Sequence, residues 1–163
     1  MIEISQQPAR KLLGLSANFI GATHVGANGP QIIGPLWGRV SQLFFARPEL
    51  EDTNPIGIGA MWPVSGGQIG EMTYFAGYEI DTVPKDLAGL ELLELETGKY
   101  AQVTHIGPMS SLPATVVDFY SKLPNEASIT RRQGIDLEIY LQVGEVSKVV
   151  IAAPIFAGSR ARD

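Results

Sequence analysis

Cysteine is absent from this sequence, which excludes disulfides and every thiolate metal site. Histidine is scarce: His24 and His105 stand far apart, without the close spacing of a metal-binding pair. No metal and no other cofactor is therefore expected. Positive charge is short as well. Twelve Lys and Arg face 17 Asp and Glu, for a net charge of −5. Charge-driven nucleic-acid binding needs a basic face that displaces counterions, so direct binding to DNA or RNA is not expected. Long apolar runs are also missing, because Gly, Pro or a charged residue breaks each one within a few positions. Neither a signal peptide nor a membrane span is visible, and a soluble cytoplasmic protein is the plain expectation.

What remains is enough to build a core. Hydrophobic residues make up 45% of 163 positions, which suits one domain or two small halves fused around one core. One order of elements is written twice, from about Arg10 to Asp81 and again from about Lys99 to Ile155. In the first copy an apolar stretch at Lys11–Gly21 reads as a buried strand. Ile32, Ile33, Leu36, Trp37, Val40, Leu43 and Phe44 then recur at helical spacing, and Pro35 fits only the first turn of that helix. Strands follow at Pro55–Trp62 and Glu71–Asp81. In the second copy, Lys99–Gly107 is a strand and Pro113–Leu123 a helix with Val116, Val117 and Tyr120 as its stripe. Asp136–Val143 and Lys148–Ile155 form a hairpin over Gly144-Glu145. Thr97-Gly98 predicts a further hairpin between Leu90–Glu96 and Lys99–Gly107. Strand–helix–strand–strand, twice, with antiparallel hairpins dominating, gives an α+β protein with helices packed on sheets. The turn at Thr82–Gly89 divides it into halves of about 1–82 and 83–163.

Each copy carries a glutamate among aromatic residues. Asp136-Leu137-Glu138-Ile139-Tyr140-Leu141 alternates with period two, so Glu138 shares a face with Tyr140. In Tyr74-Phe75-Ala76-Gly77-Tyr78-Glu79, Glu79 sits beside Phe75, with Tyr74 and Tyr78 on the other face. A carboxylate among rings in a cleft is costly to ionise unless a cation arrives. Such a site suits holding an organic cation, by charge and by ring face together, or moving a proton. Trp37, Trp62, Met61, Tyr74, Tyr78, Tyr100 and Tyr140 are candidate walls, and Glu138 and Glu79 the candidate acids. Other patterns are weaker. His105 lies in an apolar strand with Ala101 and Val103, where a core role is the commoner one. Ser65, Ser110 and Ser111 stand in no nucleophile motif. Ser65–Gly70 lacks the Lys and the strand-to-helix context of a phosphate loop.

Six segments in order resemble the GyrI-like small-molecule-binding family, which includes the effector-binding domains of AraC-type and MerR-type regulators. They are Leu36-Trp37, Tyr74–Glu79, Gly98–Ala101, His105–Pro108, Asp136–Tyr140 and Val150–Ile155. The resemblance implies a pseudo-twofold pair of strand–helix–hairpin units with a central groove. It also implies that Glu138 matches the glutamate that contacts cationic aromatic ligands in multidrug-sensing members. One departure is that Val149–Ala153 is wholly apolar where the family's closing strand carries an acid. The regulators' helix-turn-helix is not found, so no DNA-binding domain is expected. The expectation is a stand-alone effector-binding protein that senses or sequesters a hydrophobic, cationic aromatic ligand. Two alternatives remain open: a hydrolase of cyclopropane-bearing electrophiles using Glu138 and Glu79, and a gyrase-inhibitor-like protein acting on a regulator or other protein partner.

Overall fold

The computed structural model describes residues 1–51 and 53–160. In chain order the elements are β1 Glu3–Gln7, β2 Arg10–Ile20, α1 Gly29–Phe45, the short α2 Pro48–Glu51, β3 Gly57–Pro63, β4 Glu71–Ile80, β5 Glu91–Leu95, β6 Gly98–Gly107, α3 Leu112–Lys122, β7 Asp136–Gln142 and β8 Ser147–Pro154. Single 3-10 turns at Met109–Ser111 and Leu123–Asn125 flank α3. The architecture is α+β. No helix among the described residues is long and apolar enough to cross a membrane.

The chain divides into two compact units. One is Arg10–Leu95; the other joins Met1–Ala9 to the chain from Glu96 onward. In the first, the strands lie in the order β3-β4-β2-β5, and in the second β7-β8-β6-β1. Every pairing within each unit is antiparallel. Both units therefore share one plan, in which three strands and a helix of the repeat are joined by a fourth strand from outside it.

That fourth strand corrects the expected hairpin over Thr97-Gly98. β5 pairs with β2, Leu12 facing Leu93, while β6 pairs with β1 and β8. The division consequently falls at Ala9/Arg10 and Leu95/Glu96 rather than at residue 82. A two-residue link with Gly is a local hairpin signal, but here long-range ladders outweigh it. Ser5 Oγ donates to Gln102 Oε1 at 2.6 Å and Gln7 Nε2 to the same oxygen at 2.9 Å. Thr97 Oγ1 donates to the Gln7 carbonyl at 2.9 Å.

Period two explains the first core. Leu13, Leu15, Tyr74 and Ala76 are buried on one face of β2 and β4, beneath Leu36, Val40 and Phe44 of α1. Burying side chains of this size stabilises by about 1.5–3 kcal/mol each. Helix α1 begins at Gly29, three residues before Ile32, the first of its apolar repeats, so Pro30 takes the first turn and Pro35 lies inside. Pro35 leaves the Gln31 carbonyl without its helical partner.

The second core places Ala101, Val149, Ile151 and Ala153 under Leu112, Phe119 and Leu123. The stripe of α3 is thus Leu112, Val116, Phe119, Tyr120 and Leu123, spaced i, i+4, i+7, i+8, i+11. Val117, expected in that stripe, is 56% exposed. It follows Val116 by a single residue, about 100° round the helix. The other sheet faces are apolar too, with Leu12, Ile58 and Phe75 in one unit and Leu137 and Ile139 in the other fully or almost fully buried.

Candidate functional site

Glu138 and Tyr140 lie on the face of β7 that Tyr140 turns toward the α3 core. Leu137 and Ile139, alternating with them, fill the opposite face. Both candidates are half-buried. The Tyr140 hydroxyl donates to Glu138 Oε2 at 2.7 Å. A charge-assisted bond of this length holds the carboxylate in one orientation.

Two positions earlier on the same face is Asp136, which the sequence reading passed over. Its side chain is 9% exposed. Oδ2 accepts from the Tyr120 hydroxyl at 2.8 Å and from Arg131 Nη2 at 2.5 Å. The Arg131 guanidinium also rests 5.3 Å from the centroid of the Tyr120 ring. Burial raises the Asp136 carboxyl above the ordinary range, although Arg131 and the Tyr120 hydroxyl pull the other way. Burial, and then the neighbouring Asp136 charge, push the Tyr120 phenol up as well. Strand period alone would have placed Asp136 beside Glu138. No local signal marks Arg131, which comes from irregular chain whose backbone forms an isolated bridge to Ile155.

The first unit holds most of the other candidates. Trp37 Nε1 donates to the Tyr74 hydroxyl at 3.0 Å, and Ser41 and Tyr78 hydroxyls share a hydrogen bond of 2.7 Å. Trp37 packs edge-on against both tyrosines. Tyr74 is fully buried, and its ring belongs to the core of this unit. Trp37, Tyr78, Met61 and Trp62 are half-buried. Glu79, on the far face of β4 from Tyr74 and Tyr78, is ion-paired to Arg10 at 2.6 Å. Tyr100, in the second unit, is buried, with its hydroxyl on the Ile135 carbonyl at 3.3 Å.

His105 is buried between β6 and α3. The Pro108 carbonyl, 3.1 Å from Nε2, can only accept, so Nε2 carries the proton. Nδ1 and Thr115 Oγ1 share a hydrogen bond of 2.7 Å. With its proton on Nε2, this imidazole cannot take one from Ser111, 3.5 Å away. The arrangement is a structural staple. His24 is exposed. Among the described residues no three His, Asp or Glu side chains converge as a metal site. An open depression lined by Ser128, Thr130, Phe156, Ser159 and Arg160 carries no carboxylate.

The sequence matches the GyrI-like small molecule binding domain over residues 1–150. The chain belongs to the GyrI-like small-molecule-binding family. No curated protein matches this GyrI-like chain. Among solved structures it is similar to SAV2435 bound to tetraphenylphosphonium, at 17% identity and TM-score 0.72, over 96% of this chain and 94% of that one. It is similar to the C-terminal domain of EcmrR, at 15% identity and TM-score 0.59, over 96% and 97%. EcmrR itself has been solved in complex with DNA. A hydrolase from Listeria innocua matches at 16% identity and TM-score 0.53, over 95% and 91%. At these identities the likeness establishes the fold, and the GyrI-like domain is a small-molecule-binding module by family.

Proposed function

We propose that this GyrI-like domain binds a hydrophobic organic cation, with the Glu138 carboxylate as its counter-charge. The observation that carries this is the 2.7 Å bond from the Tyr140 hydroxyl to Glu138 Oε2 on a half-buried strand face. A fixed, partly desolvated carboxylate beside a ring attracts a cation by charge and by the ring's quadrupole at once. SAV2435, similar in fold, was solved with tetraphenylphosphonium, which is a ligand of that kind. The role that follows is sensing or sequestration of such compounds.

Charge sign is the sharpest test, because two ions of one shape separate it from greasiness. Titration calorimetry with tetraphenylphosphonium should give saturable binding, and tetraphenylborate, nearly identical in outline, should bind at least about tenfold more weakly. Equal affinity for the two would refute a carboxylate counter-charge.

The same Tyr140–Glu138 pair favours a second reading, acid–base opening of an electrophilic ring, since a hydrogen-bonded carboxylate can relay a proton. Incubation with a cyclopropane-bearing alkylator followed by mass spectrometry distinguishes them. A water adduct marks a hydrolase, and unchanged compound marks a binder.

A further inference from the structure

We infer that Asp136 and the ring of Tyr120 form a second organic-cation site, filled in the resting domain by the chain's own Arg131. The recognition set is complete. Arg131 Nη2 lies 2.5 Å from Asp136 Oδ2, the guanidinium carbon lies 5.3 Å from the Tyr120 centroid, and the Tyr120 hydroxyl fixes the same carboxylate oxygen at 2.8 Å. A carboxylate held at the edge of a ring face is the ordinary way a protein recognises a planar cation.

Host and guest differ in how firmly they are held. Asp136 belongs to β7 and Tyr120 to α3, both regular elements, and the Asp136 side chain is only 9% exposed. Arg131 sits between α3 and β7 in irregular chain, and its side chain is 50% exposed. The guest can therefore leave toward solvent while the host stays in place. Asp136 would then keep the Tyr120 hydroxyl but lose its counter-charge, and a buried carboxylate without one is strongly unfavourable. Departure of Arg131 is thus favoured by the entry of another cation, so the process is an exchange. The entering group is a planar guanidinium or amidinium, whose fork reproduces the one it displaces.

The site has a consequence for ligand class. Asp136 and Glu138 are alternate residues of one strand, so their Cα atoms stand about 7 Å apart on a single face. A ligand with two cationic centres at that separation can engage both carboxylates. This extension to two charges rests on the assignment of Glu138 above, whereas the Asp136 site does not.

Benzamidinium tests the exchange. Titrated by calorimetry into wild type and Arg131→Ala, it should bind about tenfold tighter once the tethered competitor is gone. Adding Asp136→Asn to Arg131→Ala should abolish the gain, and adding Glu138→Gln should leave it. No gain, or a gain that survives Asp136→Asn or disappears with Glu138→Gln alone, overturns the site. The guanidinium 15N signals of Arg131 in wild type report without any variant. They should move toward free-arginine positions at saturating benzamidinium, and unmoved signals at saturation overturn the inference even where Arg131→Ala does not fold. Failure of the Glu138 assignment would show elsewhere, as tetraphenylphosphonium binding indifferent to Glu138→Gln.

Discussion

At the scale of single residues, the second unit sets two carboxylates side by side and treats them differently. Glu138 accepts the Tyr140 hydroxyl on a half-buried strand face. Asp136 is already matched by an arginine and a tyrosine. The pH response of Asp136 follows from burial, which raises its carboxyl above the unfolded value of about 3.9 despite Arg131 and Tyr120. A raised folded value means that the native state holds the proton more tightly than the unfolded chain does. The stability that proton contributes is full below the unfolded value and is lost as pH rises through the folded one. Thermal unfolding of wild type and Asp136→Asn, compared at about pH 4 and pH 7, should show wild type gaining relative to the variant at the lower pH. A relative gain at pH 7 would show that Arg131 outweighs burial. Glu138 and Tyr140 share a face by the strand's period of two, and this much was legible from the sequence. The same arithmetic includes Asp136, whereas Tyr120 and Arg131 join it through packing that no local pattern encodes. Glu79 was read as a ring-side acid, and the structure couples it to Arg10, 69 positions away in the chain.

At the scale of elements, periodicity gave helices and strands nearly in place, and partnership was the harder matter. Helix α1 was legible because seven apolar residues recur at 3.6 spacing. In α3 two adjacent valines obscured which one faced inward. The β5–β6 link imitates a hairpin, yet each strand finds its ladder in a different unit. Nothing in a window of ten residues can reveal that choice, since the competing hydrogen bonds join residues about ninety positions apart, as Thr97 and Gln7 do. The helix-to-sheet packing of the first unit depends on β3 offering no side chain at Gly59. A Cβ there would land on the Tyr74 hydroxyl. Gly59→Ala should therefore cost about 1–3 kcal/mol. It should also break the Trp37 Nε1 to Tyr74 bond, shifting tryptophan emission, with urea unfolding as the measure of stability. Unchanged stability and emission would mean that the ring has room to move.

At the scale of the whole molecule, the resemblance read from six short segments and the family match over residues 1–150 agree. The α+β architecture expected from the repeated element order is the one observed, with each unit built on the same plan. The net charge of −5 is compatible with attraction of cations. The particular ligand was not legible, because rings and thioethers accept many apolar bodies and only the carboxylate sets a sign. The most direct measurement is therefore calorimetric titration of tetraphenylphosphonium into the intact chain and its Glu138→Gln variant, with folding of both verified by circular dichroism. The account predicts that the variant loses about tenfold or more in affinity, the loss of one partly desolvated ion pair. Equal affinity of the two proteins would contradict it.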